Sequence, residues 1–496
     1  MAPAQTPVIS PGITADKSRP PATESARRQP ATETAIPTQW SVIRIDDTRV
    51  GHGRYDERRL ADGTVRTRST MKQSVRRFGE ELTIESSLVT HETADGRLLA
   101  FEQTTRNPPS SETRLSGRFA GGRVTLTSTV NGVADTTEMP VEPGVRSPLW
   151  QERVLGKIDA AADTPMTFRA FLPDLKAVSD VRVTAGGTVD RTLADGMRKR
   201  LRAFDVVAAE LKQFPFRFFV DGRGEIWASE TPFFGRLMRS DRVSAEFALA
   251  EGGPAEFDIG NDTLIDVRPL KDPHRLREIV YRVSFPDAFV GDLPPSSSRQ
   301  RVERIDDRTL RITVTSGGGS PPSRPASGRE HLASTQLVQA DDFRVRRHAD
   351  DAIGPLRDPA RVADALTGYV GRTLVEKNFS TAMASAAEVA ETLSGDCTEH
   401  AVLLAAMLRA KRIPSRVAVG FLYLPGRGKL GGHMWTEAFL DGDWKPLDAT
   451  LGGRPVGPGH IKLADSALSD DAAALTLFLP VLDWSSGVKV DVTTPE

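Results

Sequence analysis

A single cysteine, Cys397, opens the run GDCTEHAVLLAAMLRA. Asp396 fits the N-cap of a helix there, which places Cys397 in the first turn. Unpaired backbone N–H groups and the positive end of the helix dipole meet at that point, and both favour a thiolate. By itself a lone cysteine is more often a small buried hydrophobe. Two downstream residues change that balance. The segment GGHMWTEAFLDGDWKPLDATLG reads as two strands joined by the hairpin dipeptide Asp441-Gly442. That turn pairs Leu440 with Asp443 and sets Asp448 opposite Trp435. His433 is two residues from Trp435 and therefore on the same sheet face. His433 and Asp448 become diagonal neighbours, a base and the acid that orients it. A helix presenting Cys397 to that face completes a Cys–His–Asp arrangement for nucleophilic acyl transfer.

These pieces, with the strand IPSRVAVGFLY between them, resemble the core of the transglutaminase-like superfamily of cysteine-dependent acyl-transfer enzymes. The motifs that carry the resemblance run from about Ser385 to Gly452. The resemblance implies a papain-like α+β core using Cys, His and Asp in that chain order, with Cys397 as nucleophile, His433 as base and Asp448 as orienting acid. Members include protein cross-linking enzymes, peptidases, amidases and deglycosylating amidases, so the label leaves the reaction open. Nothing matches the calcium sites of animal members, and no metal and no cofactor is expected. The Cys397 N–H is the natural oxyanion donor at a helix start.

Other residues near these motifs have less specific readings. Trp435, sharing a face with His433, is either a substrate-lining or a packing residue. His400 favours a structural place inside the helix, and Glu399 complements the dipole of its first turn. The loop 425–432 holds four glycines and reads as a mobile wall beside His433. The other histidines (His52, His91, His274, His331, His348 and His460) lack metal-ligand spacing and read as structural or surface residues.

The elements that position the three residues are expected late in the chain. Of 496 residues, 1–39 carry seven of the 34 prolines and almost no large apolar side chain, which predicts a disordered tail. Residues 40–254 alternate in short runs broken by Asp62-Gly63, Asp95-Gly96, Gly121-Gly122, Asn131-Gly132 and Asp221-Gly222, the pattern of antiparallel β-rich domains. Met197–Leu211 is ambiguous, and Asp195-Gly196 before it favours a strand pair over a helix. Residues 255–348 form a further β-rich domain with a Gly/Ser/Pro loop at 317–328. From 349 to 496 the composition shifts to helix formers, with starts at Asp358-Pro359 and a capping box at Ser385–Glu388. The fold class expected is α+β, a papain-like core at the C-terminus preceded by antiparallel β-rich domains.

Composition narrows the partners. Sixty-five basic against 66 acidic residues leave a net charge of −1, which argues against nucleic-acid binding through bulk charge. No run of 18 apolar residues occurs, so no transmembrane helix is expected. The tail fits a cytoplasmic protein or, slightly better, a mature extracytoplasmic one whose signal was removed. The expected activity is hydrolysis of a peptide or amide bond in a protein or peptide substrate. The alternative is a scaffold or binding protein without turnover, its β-region holding a protein or apolar ligand.

Overall fold

The computed structural model describes residues 34–494 apart from 108–110, 131, 159–164, 251–256, 318–327, 377–382, 453, 471–473 and 486. Most of the expected tail, and most of the Gly/Ser/Pro loop, lie outside the described residues. Within 34–39, Thr34–Ala35 already pairs with the strand Thr48–Arg59, and Gln39 opens the next strand.

From Gln39 to Val243 the chain is an antiparallel meander in two runs, 39–140 and 166–243. The last strand of the second run pairs with the first strand of the first, Val243 opposite Trp40 and Met238 opposite Ile45, so both join one fifteen-stranded sheet. A second stitch joins them at Arg146, which bridges Arg97 on one side and Ala170 on the other. The turn glycines largely take the positive φ their turns need, although at Asp221-Gly222 it is Gly224, at φ 85°, that does so. Gly121 and Gly122 both take positive φ, 59° and 73°, between the paired residues Ala120 and Arg123. Asp195-Gly196 likewise closes a hairpin, with Thr192 paired to Arg198, so the basic run after it is a strand.

One face of this sheet packs on itself. Leu155, from a short helical turn, lies among Phe168, Phe204 and Phe218. Ile43, Val75 and Leu82 form another cluster with Phe257. A cavity of about 310 Å³ remains, lined by Trp40, Tyr55, Ser41, Ser69, Glu152 and Phe218. Its hydroxyls and carboxylate make it a mixed polar space, not the large apolar concavity that lipid binding requires. Two strands of the sheet matter below: β1 (Val65–Arg77) and β2 (Glu80–Glu92), whose hairpin ends at Phe78-Gly79.

The region after residue 255 does not stand apart from the C-terminal region. Strands β3 (Ile265–Asp266), β4 (Glu278–Ser284), β5 (Gln300–Asp306) and β6 (Thr309–Thr315) lead into four helices: α1 (Phe343–Ile353), α2 (Pro359–Thr373), α3 (Ala386–Thr392) and α4 (Cys397–Ala410). Then come β7 (Ser415–Leu424), β8 (Lys429–Leu440), β9 (Asp443–Leu447), β10 (His460–Ser466), α5 (Ala474–Trp484) and β11 (Lys489–Thr493). β4 pairs with both β6 and the last strand, β11, in the order β5-β6-β4-β11. Ile279, Tyr281 and Val283, at strand period two, share one cluster with Phe421 and Tyr423 of β7 and Trp484 of α5. The boundary expected at 348 therefore runs through a common core. A four-stranded sheet has one apolar face to cover, and the C-terminal sheet covers it.

The second sheet has the order β3-β8-β7-β10, with β9 added to β8. β7 is central and almost wholly buried, which explains its apolar run VAVGFLYL from Val417 to Leu424. Gly420 in β7 is required by close approach: a Cβ there would lie 1.8 Å from the Ile461 carbonyl oxygen of β10. α4 packs on this sheet and on α1, α2 and α3. Every residue from Thr398 to Arg409 is buried, so its apolar character runs all round the helix. At its C-terminal end the buried Arg409 donates to the carbonyls of Ala333, Ser415 and Ala467.

Helix starts follow the sequence with one correction. Asp358 caps α2 by accepting from Arg361 N at 2.9 Å. Ser385 is the N-cap of α3, but its side chain accepts no capping hydrogen bond, so the expected capping box does not form. Tertiary partners take the freed donors instead. Ala386 N donates to the Leu337 carbonyl and Ala387 N to Gln339 Oε1, both at 2.8 Å.

Candidate active site

The capping box occurs one helix later, under the cysteine. Asp396 Oδ1 accepts from Thr398 N at 2.8 Å and from Thr398 Oγ1 at 3.0 Å. Glu399 Oε2 reaches back to Asp396 N at 2.9 Å, completing the box. Glu399 Oε1 also accepts from Ala384 N at 3.0 Å. Glu399 thus does more than complement the dipole: it ties the helix start to the preceding segment. Gly395 makes the tight entry possible. Its φ is +147°, and a Cβ there would sit 2.3 Å from Glu399 Cβ. Cys397 follows in the first turn, half-buried.

β8 lies across α4, with Thr436 Oγ1 donating to the Ala401 carbonyl at 2.9 Å. The β8–β9 register is the one the turn dictates, from Leu440–Asp443 to Thr436–Leu447. Asp448 is the next residue. It leaves the ladder to cap a 3₁₀ turn, accepting on Oδ1 from Thr450 N at 2.9 Å and Thr450 Oγ1 at 2.6 Å. Its Oδ2 accepts from His433 Nε2 at 2.8 Å. The Cys397 sulfur lies close enough to the His433 ring to be among the groups that raise its pKa. The three residues expected to meet do meet.

Burial opposes charge on His433, but the Asp448 carboxylate and the Cys397 sulfur outweigh it and push its pKa up to about 10. Burial likewise opposes charge on Asp448, and His433 with its hydrogen bonds holds that carboxyl well below the usual range. The pair is therefore an imidazolium–carboxylate pair at neutral pH. Its pH dependence has a definite sign. His433 is raised from 6.5, so its contribution to stability is full below about pH 6.5 and is lost as pH rises towards 10. The Asp448 share is present above about pH 4 and is lost as pH falls through its lowered folded value. Denaturation midpoints measured from pH 6 to 10 should fall in the wild type, and the fall should be shallower in His433→Ala.

Three expectations need adjustment. His460, read as a structural or surface histidine, belongs to the site: its Nε2 donates to the same Asp448 Oδ2 at 3.0 Å. Burial lowers its pKa, so it serves as a neutral donor. It stands edge-on to His274 at 5.2 Å and to Trp435 at 5.3 Å. Only the pairing of β10 with β7 brings it there, Leu422 opposite His460, and no local motif signals that contact. His460→Phe keeps a ring but removes the donor. Its expected cost is about 1.5–3 kcal/mol, measurable as a lower denaturation midpoint.

Trp435 shares a face with His433 as expected, the rings stacked at 6.1 Å, but it is only 2% exposed. It packs beneath the site, against the rings of His433 and His460. His400 is held against its own helix, Nδ1 to the Asp396 carbonyl at 2.6 Å, and burial lowers its pKa. The glycine-rich loop is not a free wall. β7–β8 pairing continues to Leu424–Lys429, and Val267 N donates to the Gly428 carbonyl at 2.9 Å.

His433 Nε2, His460 Nε2 and Asp448 Oδ2 lie within 4.8 Å of one another, a set whose donor types suit a metal ion. The carboxylate oxygen, however, sits 2.8 and 3.0 Å from the two nitrogens. Ligands on a tetrahedral ion with ~2.0–2.1 Å bonds stand about 3.3 Å apart. The spacing is that of hydrogen bonds.

The second residue outside the sequence reading is Arg77, at the end of β1. Its Nη2 lies 2.7 Å from Asp396 Oδ2, so the N-terminal sheet reaches the N-cap of the cysteine helix.

Among solved structures, the chain is similar to a candidate cysteine protease from Cytophaga hutchinsonii, at 16% identity, covering 45% of this chain and 84% of that one with a TM-score of 0.27. A β-barrel-like protein from Brucella abortus, built on a domain of unknown function, gives 14% identity, 42% and 96% coverage and a TM-score of 0.33. A candidate protease from Parabacteroides distasonis gives 13% identity, 71% and 69% coverage and a TM-score of 0.20. No curated protein matches the sequence. Residues 346–449 match the sequence profile of the transglutaminase-like superfamily. That matched segment contains Cys397, His433 and Asp448.

Proposed function

We propose that this protein is a thiol-dependent hydrolase of peptide or amide bonds, with Cys397 as nucleophile, His433 as base and acid, and Asp448 as the group that orients His433. The observation that carries this reading is the His433 imidazole, hydrogen-bonded to the Asp448 carboxylate at 2.8 Å and raised in pKa by both Asp448 and the nearby Cys397 sulfur. In the resting site His433, as an imidazolium, already holds the proton given up by the thiol, while its Nε2 stays bonded to Asp448. The sulfur attacks the carbonyl carbon, and the Cys397 N–H helps hold the developing oxyanion. The C–N bond breaks as His433 protonates the leaving amine, which leaves a thioester on Cys397. Water, deprotonated by His433, then cleaves the thioester to the acid and restores the thiol.

Hydrolysis is favoured over cross-linking because water suffices as second substrate, whereas cross-linking needs a site for an acceptor amine. The test is incubation with denatured casein, with and without a fluorescent primary amine. The expected result is release of new amino termini, abolished in Cys397→Ala, with little amine incorporated. Dominant amine incorporation would reassign the reaction to transamidation. A protein that carries out neither, despite a reactive thiol, would favour the scaffold reading.

A further inference from the structure

We propose that Arg77 of the N-terminal sheet is a positioning residue for the active site, acting through Asp396 to keep the Cys397 thiol ionisable. The proposal rests on Cys397 being the nucleophile, and it assigns the long β-region a part in that same site.

The problem Arg77 addresses is electrostatic. Asp396, next to Cys397, is 5% exposed, and Glu399 one turn on is 1% exposed. Two acids at the start of a buried helix suit the dipole, but they repel a thiolate formed between them. They also repel each other. Burial and then the Asp396 charge push the Glu399 carboxyl up to about 7. Among the described residues, the groups facing the thiol and its N-cap are Asp396, Glu399 and His400 from α4 and His433 from β8. Asp448 and His460 stand behind His433, and Arg77 comes from β1. His433 is already paired with Asp448. Arg77 is the one cation in this set placed against Asp396.

Arg77 is also held in place. The hairpin end it belongs to is clamped by the segment 257–262. Phe78 N and Gly79 N each donate to the Asp258 carboxylate at 2.8 Å. Arg76 N donates to the Phe257 carbonyl at 2.9 Å, and Ile259 N to the Arg76 carbonyl at 2.7 Å. The guanidinium is thus delivered by backbone hydrogen bonds on both sides of it, not by a free surface side chain. Farther off, Gln336 Nε2 donates to the Ser128 and Val133 carbonyls at 2.9 and 2.7 Å, fixing sheet to helices at a second point.

The experiment uses the full chain. Cys397 alkylation by iodoacetamide is timed at pH 6 and pH 10 in wild type, Arg77→Gln, Arg77→Lys, Asp396→Asn, the Arg77→Gln/Asp396→Asn double variant and His433→Ala. One unit on the titration axis is a ten-fold change in thiolate fraction at low pH. Arg77→Gln should slow labelling about ten-fold at pH 6 and leave it unchanged at pH 10, where thiolate no longer limits the rate. Arg77→Lys should stay within about two-fold of wild type, because it keeps the charge. In the Asp396→Asn background, whose side chain still caps, adding Arg77→Gln should change little. Equal labelling of Arg77→Gln and wild type at pH 6 overturns the proposal. So does equal slowing at both pH values, which marks a merely structural loss. Should Arg77→Gln fail to fold, Arg77→Lys decides, and a lysine variant as slow as His433→Ala rejects the charge argument. If wild type labels no faster than His433→Ala, the assignment of the nucleophile fails, and this proposal fails with it.

Discussion

Asp448→Ala is expected to lower stability by about 3–5 kcal/mol, the usual cost of removing one partner from a buried charge pair. Asp448 is 2% exposed, and its two oxygens accept from His433, His460 and Thr450. Truncation leaves two buried imidazole donors without an acceptor and a 3₁₀ turn without its cap. Asp448→Asn keeps the shape and one carbonyl acceptor, so it should cost less in stability. It removes the charge that raises His433, and activity should fall with it. Denaturant titration followed by near-UV circular dichroism measures the first effect. A midpoint for Asp448→Ala equal to wild type would mean that the carboxylate does not anchor this corner of the sheet.

His433→Ala is expected to lower kcat on a cleavable peptide by about 10²–10⁴-fold, the usual contribution of a positioned acid–base group, with KM little changed. His433 reaches the reacting sulfur and not the remote parts of a substrate, so its loss should fall on the chemical step. A large rise in KM at constant kcat would instead assign it to binding.

The site was legible where its geometry is local and opaque where it depends on tertiary pairing. A two-residue turn at Asp441-Gly442 fixes register, and register fixes faces, so the meeting of His433 with Asp448 followed from counting residues. The N-cap chemistry of Asp396 followed from its side chain. His460 could not be found this way. It reaches Asp448 only because β10 adds to the far side of β7, and a strand's partner is not written in the strand. Arg77 is more distant still, over 300 residues from the cysteine in the chain. Its role depends on how two separately formed layers dock. A boundary at 348 follows the shift to helix formers at that point, whereas β4 pairs with β11 from the C-terminus, a contact that local composition does not signal. The capping box at Ser385 matched the pattern but not the structure, since Leu337 and Gln339 supply the acceptors there.

The central claim is that Cys397 and His433 work as a pair, and the pH dependence of thiol alkylation tests it most directly. Cys397 is the sole cysteine, so mass spectrometry of the intact chain counts the reaction without interference. In wild type, iodoacetamide labelling at pH 6 should proceed at a substantial fraction of its rate at pH 9. In His433→Ala it should collapse at pH 6 and recover only as the solution becomes alkaline enough to ionise an unassisted thiol, near ~8.5. Labelling curves that coincide in the two proteins would contradict the account, and Cys397 would then be a buried cysteine beside a histidine rather than a nucleophile.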